Sequence, residues 1–144
     1  MNIQNSTSGI YLGVDYGSKK TGIAIGQKIT KDVRPLKIIT NDPIPEILII
    51  LSEWDIEKII IGYPQYKNEG EIHKEIKLFV KKLKKSISKK IDIILVDESY
   101  SSSEGRRKKS ELDNMRVKGK NLDNYDDLSA CIILQSWINE NIII

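Results

Sequence analysis

Ile10-Tyr11-Leu12-Gly13-Val14-Asp15-Tyr16-Gly17-Ser18-Lys19-Lys20-Thr21-Gly22-Ile23-Ala24-Ile25-Gly26-Gln27 decides how the rest of the chain is to be read. Ile10–Asp15 is a short apolar run that closes on Asp15-Tyr16-Gly17-Ser18, residues suited to a turn. Thr21–Gln27 follows with β-branched and small residues. Two such runs so close together predict the antiparallel strands of a hairpin. Val33–Ile39 reads as a third strand, and Pro35 marks it as an edge or an irregular start, since proline cannot donate to a ladder. The chain therefore opens as an antiparallel meander.

Beyond it the period changes. Asn41-Asp42-Pro43 breaks the chain and can open a helix, with apolar residues at Ile44, Ile47, Leu48, Leu51 and Trp54. Glu57–Gly62 holds the unbroken run Ile59-Ile60-Ile61, expected of a strand covered on both faces, and Tyr63-Pro64 ends it. Glu71–Ser88 is a long amphipathic pattern with Ile72, Ile76, Phe79, Val80, Leu83 and Ile87 as its inner stripe. Ile91–Val96 reads as another buried strand, with Asp97-Glu98 just past its end. Ser101–Leu112 predicts a helix, Asp113–Asn124 a mobile polar loop, and Asp126–Asn139 a last helix. A meander followed by alternating helices and strands predicts an α/β fold: a mixed five-stranded sheet with helices on both faces.

The 144 residues are the size of one domain, 1–144, with 1–8 as a flexible tail. Hydrophobic residues make up 40% and charged residues 30%, a globular rather than a disordered balance. A net charge of +3 permits a nucleic-acid partner without requiring one. The placement of charge says more. Lys77, Lys81, Lys82, Lys84, Lys85, Lys89 and Lys90 crowd one helix, which reads first as a solvated face. Arg106, Arg107, Lys108, Lys109, Arg116, Lys118 and Lys120 crowd the stretch between two acidic motifs, where phosphate contact is the better reading. The one cysteine, Cys131, lies in an apolar run and fits a reducing compartment. Met1–Ser8 has no signal-peptide character, and no apolar run approaches membrane-spanning length. The expectation is a cytoplasmic protein, monomer or homodimer, without a membrane partner.

Three acidic positions stand out by location. Asp15 ends the first strand, Glu98 follows a later strand beside Asp97, and Asp126 opens the last helix beside Asp127. Carboxylates at strand ends and a helix start can meet at one rim of a sheet, where open α/β folds bind ligands. Hard divalent cations take oxygen ligands of this kind, and two such ions can drive phosphodiester cleavage. Each residue alone also has a structural reading, as a turn former or a partner of the helix dipole. Local geometry does not separate Asp126 from Asp127. Alternation says only that Asp97 and Glu98 lie on opposite sides. A turn at Gly17 serves either a hairpin with positive φ or close approach of phosphate. Ser101 and Ser102 read as caps. His73, alone on a lysine-rich helix, is expected to face solvent, and Trp54 and Trp137 to lie in the core.

Taken together, the motifs resemble the YqgF family, also called RuvX: precursor-16S rRNA nucleases, also described as Holliday-junction-resolvase-like proteins. Asp15-Tyr16-Gly17-Ser18-Lys19-Lys20-Thr21-Gly22-Ile23-Ala24 is similar to the family's opening motif, and Arg34-Pro35-Leu36 to the R-P-L that follows. Gly62-Tyr63-Pro64 with Gly70, then Asp97-Glu98, then Asp126, Ser129, Ala130, Ile133 and Leu134 match the remaining motifs in order. The resemblance covers nearly the whole chain. It implies a ribonuclease H-like fold and carries the proposed catalytic acids to Asp15, Glu98 and Asp126, which would hold Mg²⁺ or Mn²⁺. Lys19, Lys20, Arg106, Arg107, Lys118 and Lys120 would then contact nucleic acid. Two departures weaken phosphate contact more than metal binding. Ser99 stands where the family usually has Arg, and Lys20 keeps charge without the bidentate fork.

The implied function is metal-dependent hydrolysis of structured nucleic acid, above all the 5′ region of precursor 16S rRNA. Branched DNA cut by a Holliday junction resolvase is the second expectation. An actin-like phosphotransferase shares the form Asp-x-Gly-Ser, but it needs two related domains and this chain has room for one. A non-catalytic RNA-binding assembly factor gains nothing from carboxylates facing phosphate.

Overall fold

Side-chain alternation along the first strand sorts the molecule into two cores. The computed structural model describes residues 8–64, 70–88, 90–98 and 125–142, and of Glu98 and residues 125–127 only the backbone. Its elements run β1 (Ile10–Asp15), β2 (Thr21–Gln27), β3 (Val33–Ile39), α1 (Pro43–Glu53), β4 (Ile56–Pro64), α2 (Glu71–Ser86), β5 (Asp92–Glu98) and α3 (Tyr125–Asn141). Leu12 and Val14 of β1 pack into a core with Ile23, Ile25, Ile59, Ile61 and the inner faces of α1 and α2. Tyr11 belongs instead to a second core with Ala24, Ile60 and the buried residues of α3. Helices thus cover both faces, as expected: α1 and α2 on one, α3 on the other.

The five strands are ordered β3-β2-β1-β4-β5. β1 pairs antiparallel with β2, and β2 antiparallel with β3. β4 is parallel to β1 and β5 parallel to β4. β1, β2 and β3 keep their expected limits, and β3 with Pro35 is an edge strand whose pairing shifts register between Ile23 and Ala24. The continuous isoleucines of β4 are fully buried because this strand has a helix layer on each side.

β5 corrects the sequence reading twice. It runs to Glu98, so Asp97 and Glu98 are its last residues rather than a following loop. It is also an edge strand, not a buried one: Leu95 is 43% exposed, and Asp92 and Asp97 are exposed. An apolar run does not distinguish a central strand from one whose outer side stays open. α1 is capped by the Asp42 side chain, which accepts from the Ile44 N–H at 3.1 Å. The expected helix 101–112 and loop 113–124 lie outside the described residues.

Two close approaches set the spacing of the layers. A Cβ on Gly13 would lie 2.7 Å from the Leu134 Cβ and 2.9 Å from the Ala130 carbonyl oxygen, so α3 rests directly on the β1 backbone. Further back along β1, Tyr11 meets Trp137 edge to face at 5.4 Å. As β1 advances from Tyr11 to Gly13, the facing helix recedes from Trp137 to Ala130. α3 is therefore antiparallel to β1, and its first turn lies at the end of the sheet where β1 finishes.

Candidate metal and nucleic-acid site

The carboxyl end of the sheet collects the three proposed acids from three separate elements. Asp15 is the last residue of β1 and Glu98 the last of β5. Because β1, β4 and β5 all run the same way, both residues end at one rim. Asp126 is the second residue of α3. It precedes Ala130 by four residues, about 6 Å along the axis. Asp15 follows Gly13 by two, also about 6–7 Å. Since Ala130 lies over Gly13, the two positions reach the same rim together.

By strand register, Asp15 and Glu98 also fall on one side of the sheet. Tyr11, Gly13 and Asp15 alternate onto the α3 side of β1. Ile94 and Val96 pack toward the α3 core, whereas Ile93 packs toward the other, so Glu98 occupies the α3-side register and Asp97 the opposite one. That contrast separates Glu98 from Asp97, which alternation alone left equal. Positions 126 and 127 both fall on the arc that continues Ala130 and Leu134, so the structure leaves that pair as the sequence did. Among residues whose side chains are described, no three His, Cys, Asp or Glu form a cluster, and of the proposed trio only Asp15 is in that set.

The turn between β1 and β2 brings Lys19 and Lys20 to this rim, both exposed. Gly17 is required there for a reason the sequence did not supply. Its φ is not positive; a Cβ would lie 2.4 Å from the Lys20 carbonyl oxygen. The turn is tight enough that only glycine passes. Tyr16, next to Asp15, turns to the other face and stacks on Phe79 with ring centroids 4.8 Å apart. Burial, then the nearby Glu75 and Asp42, push its phenol above the usual 10.0. The phenol thus stays protonated at neutral pH and brings no negative charge to the rim. Arg106, Arg107, Lys118 and Lys120 lie outside the described residues, but the described backbone on either side of them, at Glu98 and Tyr125, stands at this rim.

His73 is a residue that the sequence reading misplaced. Instead of facing solvent it is 2% exposed. Its Nδ1 accepts from the Gly70 N–H at 2.8 Å, which makes the ring the Nε2–H tautomer. Nε2–H then donates to the Pro64 carbonyl at 2.9 Å, and the ring meets Tyr63 edge to face at 4.8 Å. A signal was present: His73 stands three residues before Ile76 and seven before Val80, on the apolar stripe. Trp54 and Trp137 are half-buried, each packed against one of the two cores.

A sequence profile of the family described as RuvX, Holliday junction resolvase, matches residues 9–140. The chain belongs to the RuvX family. A Francisella tularensis member (strain WY96-3418) named "Putative pre-16S rRNA nuclease" is 35% identical over 136 residues, covering 90% of this chain and 96% of its own. A Legionella pneumophila member (strain Lens) with the same name is 32% identical over 139 residues, covering 92% of this chain and 97% of its own. Among solved structures, RuvC of Thermus thermophilus superposes with a TM-score of 0.66 at 8% identity, covering 92% of this chain and 97% of that one. The fowlpox virus resolvase bound to Holliday junction DNA gives 0.55 at 18% identity, covering 93% and 99%. These likenesses establish the fold of this RuvX member as that of the RuvC-like resolvases, which is ribonuclease H-like. No described helix is long and apolar enough to cross a membrane.

Proposed function

We propose that this RuvX member is a nuclease that hydrolyses phosphodiester bonds of structured nucleic acid at the carboxyl rim of its sheet. Its substrate on this reading is precursor 16S rRNA, processed at the 5′ end in the cytoplasm. One observation supports this reading: the ends of β1 and β5 and the first turn of α3, the segments that carry Asp15, Glu98 and Asp126, lie at one rim of the sheet.

Three carboxylates are the hard, anionic oxygen donors that Mg²⁺ or Mn²⁺ take, so the residues fit the ion. When bound, such ions lower the pKa of water and stabilise the leaving oxygen. The chain's own contribution is placement. Asp15 is held by β1 in the middle of the sheet, under the close contact of α3 with Gly13. Glu98 is carried by an edge strand, and Asp126 by the first turn of a helix that rests on β1. Lys19 and Lys20 supply cations at the same rim, with Arg106, Arg107, Lys118 and Lys120 attached between Glu98 and α3. They grip the phosphate backbone by charge rather than by base contact. The family description and the fold of the RuvC-like resolvases favour branched DNA as the second substrate.

Purified protein incubated with 5′-extended precursor 16S rRNA and with four-way junction DNA, each with Mg²⁺, Mn²⁺ or EDTA, tests both. Metal-dependent cleavage of the RNA, suppressed by EDTA, is expected. Cleavage of the junction alone would shift the assignment to DNA, and cleavage undiminished in EDTA would remove the metal from the reading.

A further inference from the structure

β4 and β5 outrun the rest of the sheet at the rim. The pairing of β1 with β4 ends at Val14 and Ile61. The pairing of β4 with β5 continues through Gly62 with Val96 and Tyr63 with Asp97 to Pro64 with Glu98. β5 is the edge strand, so β4 is its one ladder neighbour among the described strands. Glu98 therefore sits at the tip of a two-stranded overhang. An isolated two-stranded ribbon is marginal in water. This end lacks a third strand among the described ones, so contacts beyond the ladder bear on how firmly it is held.

The geometry points to His73 as that support, a positioning residue for Glu98. The ring reaches from the first turn of α2 to the last residue of β4, donating to the Pro64 carbonyl at 2.9 Å, and Pro64 is the register partner of Glu98. Its other nitrogen is anchored by the Gly70 N–H at 2.8 Å, which fixes both tautomer and orientation. Tyr63, the preceding residue of the overhang, packs on the ring edge to face and against the core beneath. At 2% exposure the ring has no water to take over either bond. The chain of restraint runs from α2 through His73 to Pro64, and across the ladder to Glu98. This role rests on reading Glu98 as a site residue.

Two substitutions separate positioning from packing. His73→Leu keeps an apolar filling of the site and removes both hydrogen bonds. His73→Gln retains a donor and an acceptor on one side chain. Hydrogen exchange is followed residue by residue at 25 °C, alongside Mn²⁺ binding by titration calorimetry. In His73→Leu the Val96–Glu98 amides should exchange at least ~10-fold faster, with Ile59–Ile61 unchanged, because opening is local. Mn²⁺ affinity should fall ~10–100-fold, the usual cost of losing a group that orients a ligand. His73→Gln should recover most of both. Unchanged exchange at Val96–Glu98 in His73→Leu overturns the inference. So does equal acceleration at Ile59–Ile61, which would mark a general loss of stability. The wild type is titrated first: if it binds no Mn²⁺, the proposed metal site fails, and the exchange comparison still decides whether His73 holds the overhang.

Discussion

Asp15 and Gly13 stand two residues apart on one face of β1, yet their substitutions should act on different properties. Asp15→Asn is nearly isosteric and removes one negative ligand from the proposed site. Cleavage should fall more than about 100-fold, beyond the loss typical of groups that only orient a ligand, while the fold and nucleic-acid affinity persist. Affinity can rise slightly, because a carboxylate near phosphate is repulsive without a metal. Single-turnover cleavage and filter binding on the same variant check this, and full cleavage would falsify the assignment of Asp15. Gly13→Ala should leave the chemistry of every side chain intact and cost stability. Its Cβ would sit 2.7 Å from Leu134 and 2.9 Å from a helix carbonyl, so α3 must move away. The expected loss is about 1–3 kcal/mol, the range for overpacking a core. Urea unfolding measures it, and a midpoint equal to wild type would show that α3 is looser on β1 than its contacts imply.

Between elements, the β4–β5 pair is tied at both ends. At the rim His73 holds Pro64, and at the opposite end Lys58 of β4 bridges Asp92 of β5 at 2.9 Å. The hydrogen bond that the Lys58 ammonium donates to Asp92 raises its pKa above the usual 10.5, against the opposing pull of burial. Burial raises the phenols of Tyr11 and Tyr16 above 10.0, with Glu57 adding to the first and Glu75 to the second. All three groups have higher pKa values folded than unfolded. The folded state therefore keeps more protons once the pH passes about 10, and rising pH favours unfolding. Stability should be undiminished by these groups below that pH, decline through the alkaline window, and level off above their folded values. Thermal melts from pH 8 to 11.5 test this. Tyr16→Phe should shallow the decline, and an equally steep slope in that variant would assign the effect elsewhere.

For the whole molecule, the prediction concerns charge at the rim. Lys19 and Lys20 are exposed in the turn beside Asp15. Each phosphate contact contributes about 0.7–0.9 to the slope of log affinity against log salt. If both lysines touch backbone, the Lys19→Gln/Lys20→Gln double variant should flatten that slope by about 1.4–1.8 and weaken binding to RNA of any sequence. Neutralising Arg106, Arg107, Lys108 and Lys109 should act the same way while leaving Mn²⁺ binding intact. Binding isotherms across a salt series distinguish the two clusters, and an unchanged slope in either variant takes that cluster out of the substrate path.

The strand–turn–strand of Ile10–Gln27, the isoleucine run of β4 and the capped start of α1 at Asp42 were all legible in the chain. Periodicity and turn chemistry are local, and each of these segments agrees with its neighbours. The motif resemblance likewise put Asp15, Glu98 and Asp126 in order along the chain. What sequence could not supply was everything that depends on a second element. Leu95 reads as buried until the sheet order leaves β5 at an edge. Asp97 and Glu98 are equivalent until α3 covers one face and not the other. Gly17 suggests positive φ until the Lys20 carbonyl is seen to pass too close for any Cβ. His73 reads as one more polar residue on a lysine helix. Only the meeting of α2 with the end of β4 shows its two nitrogens bridging Gly70 and Pro64, because a hydrogen bond between residues nine apart on different elements leaves no period in the chain.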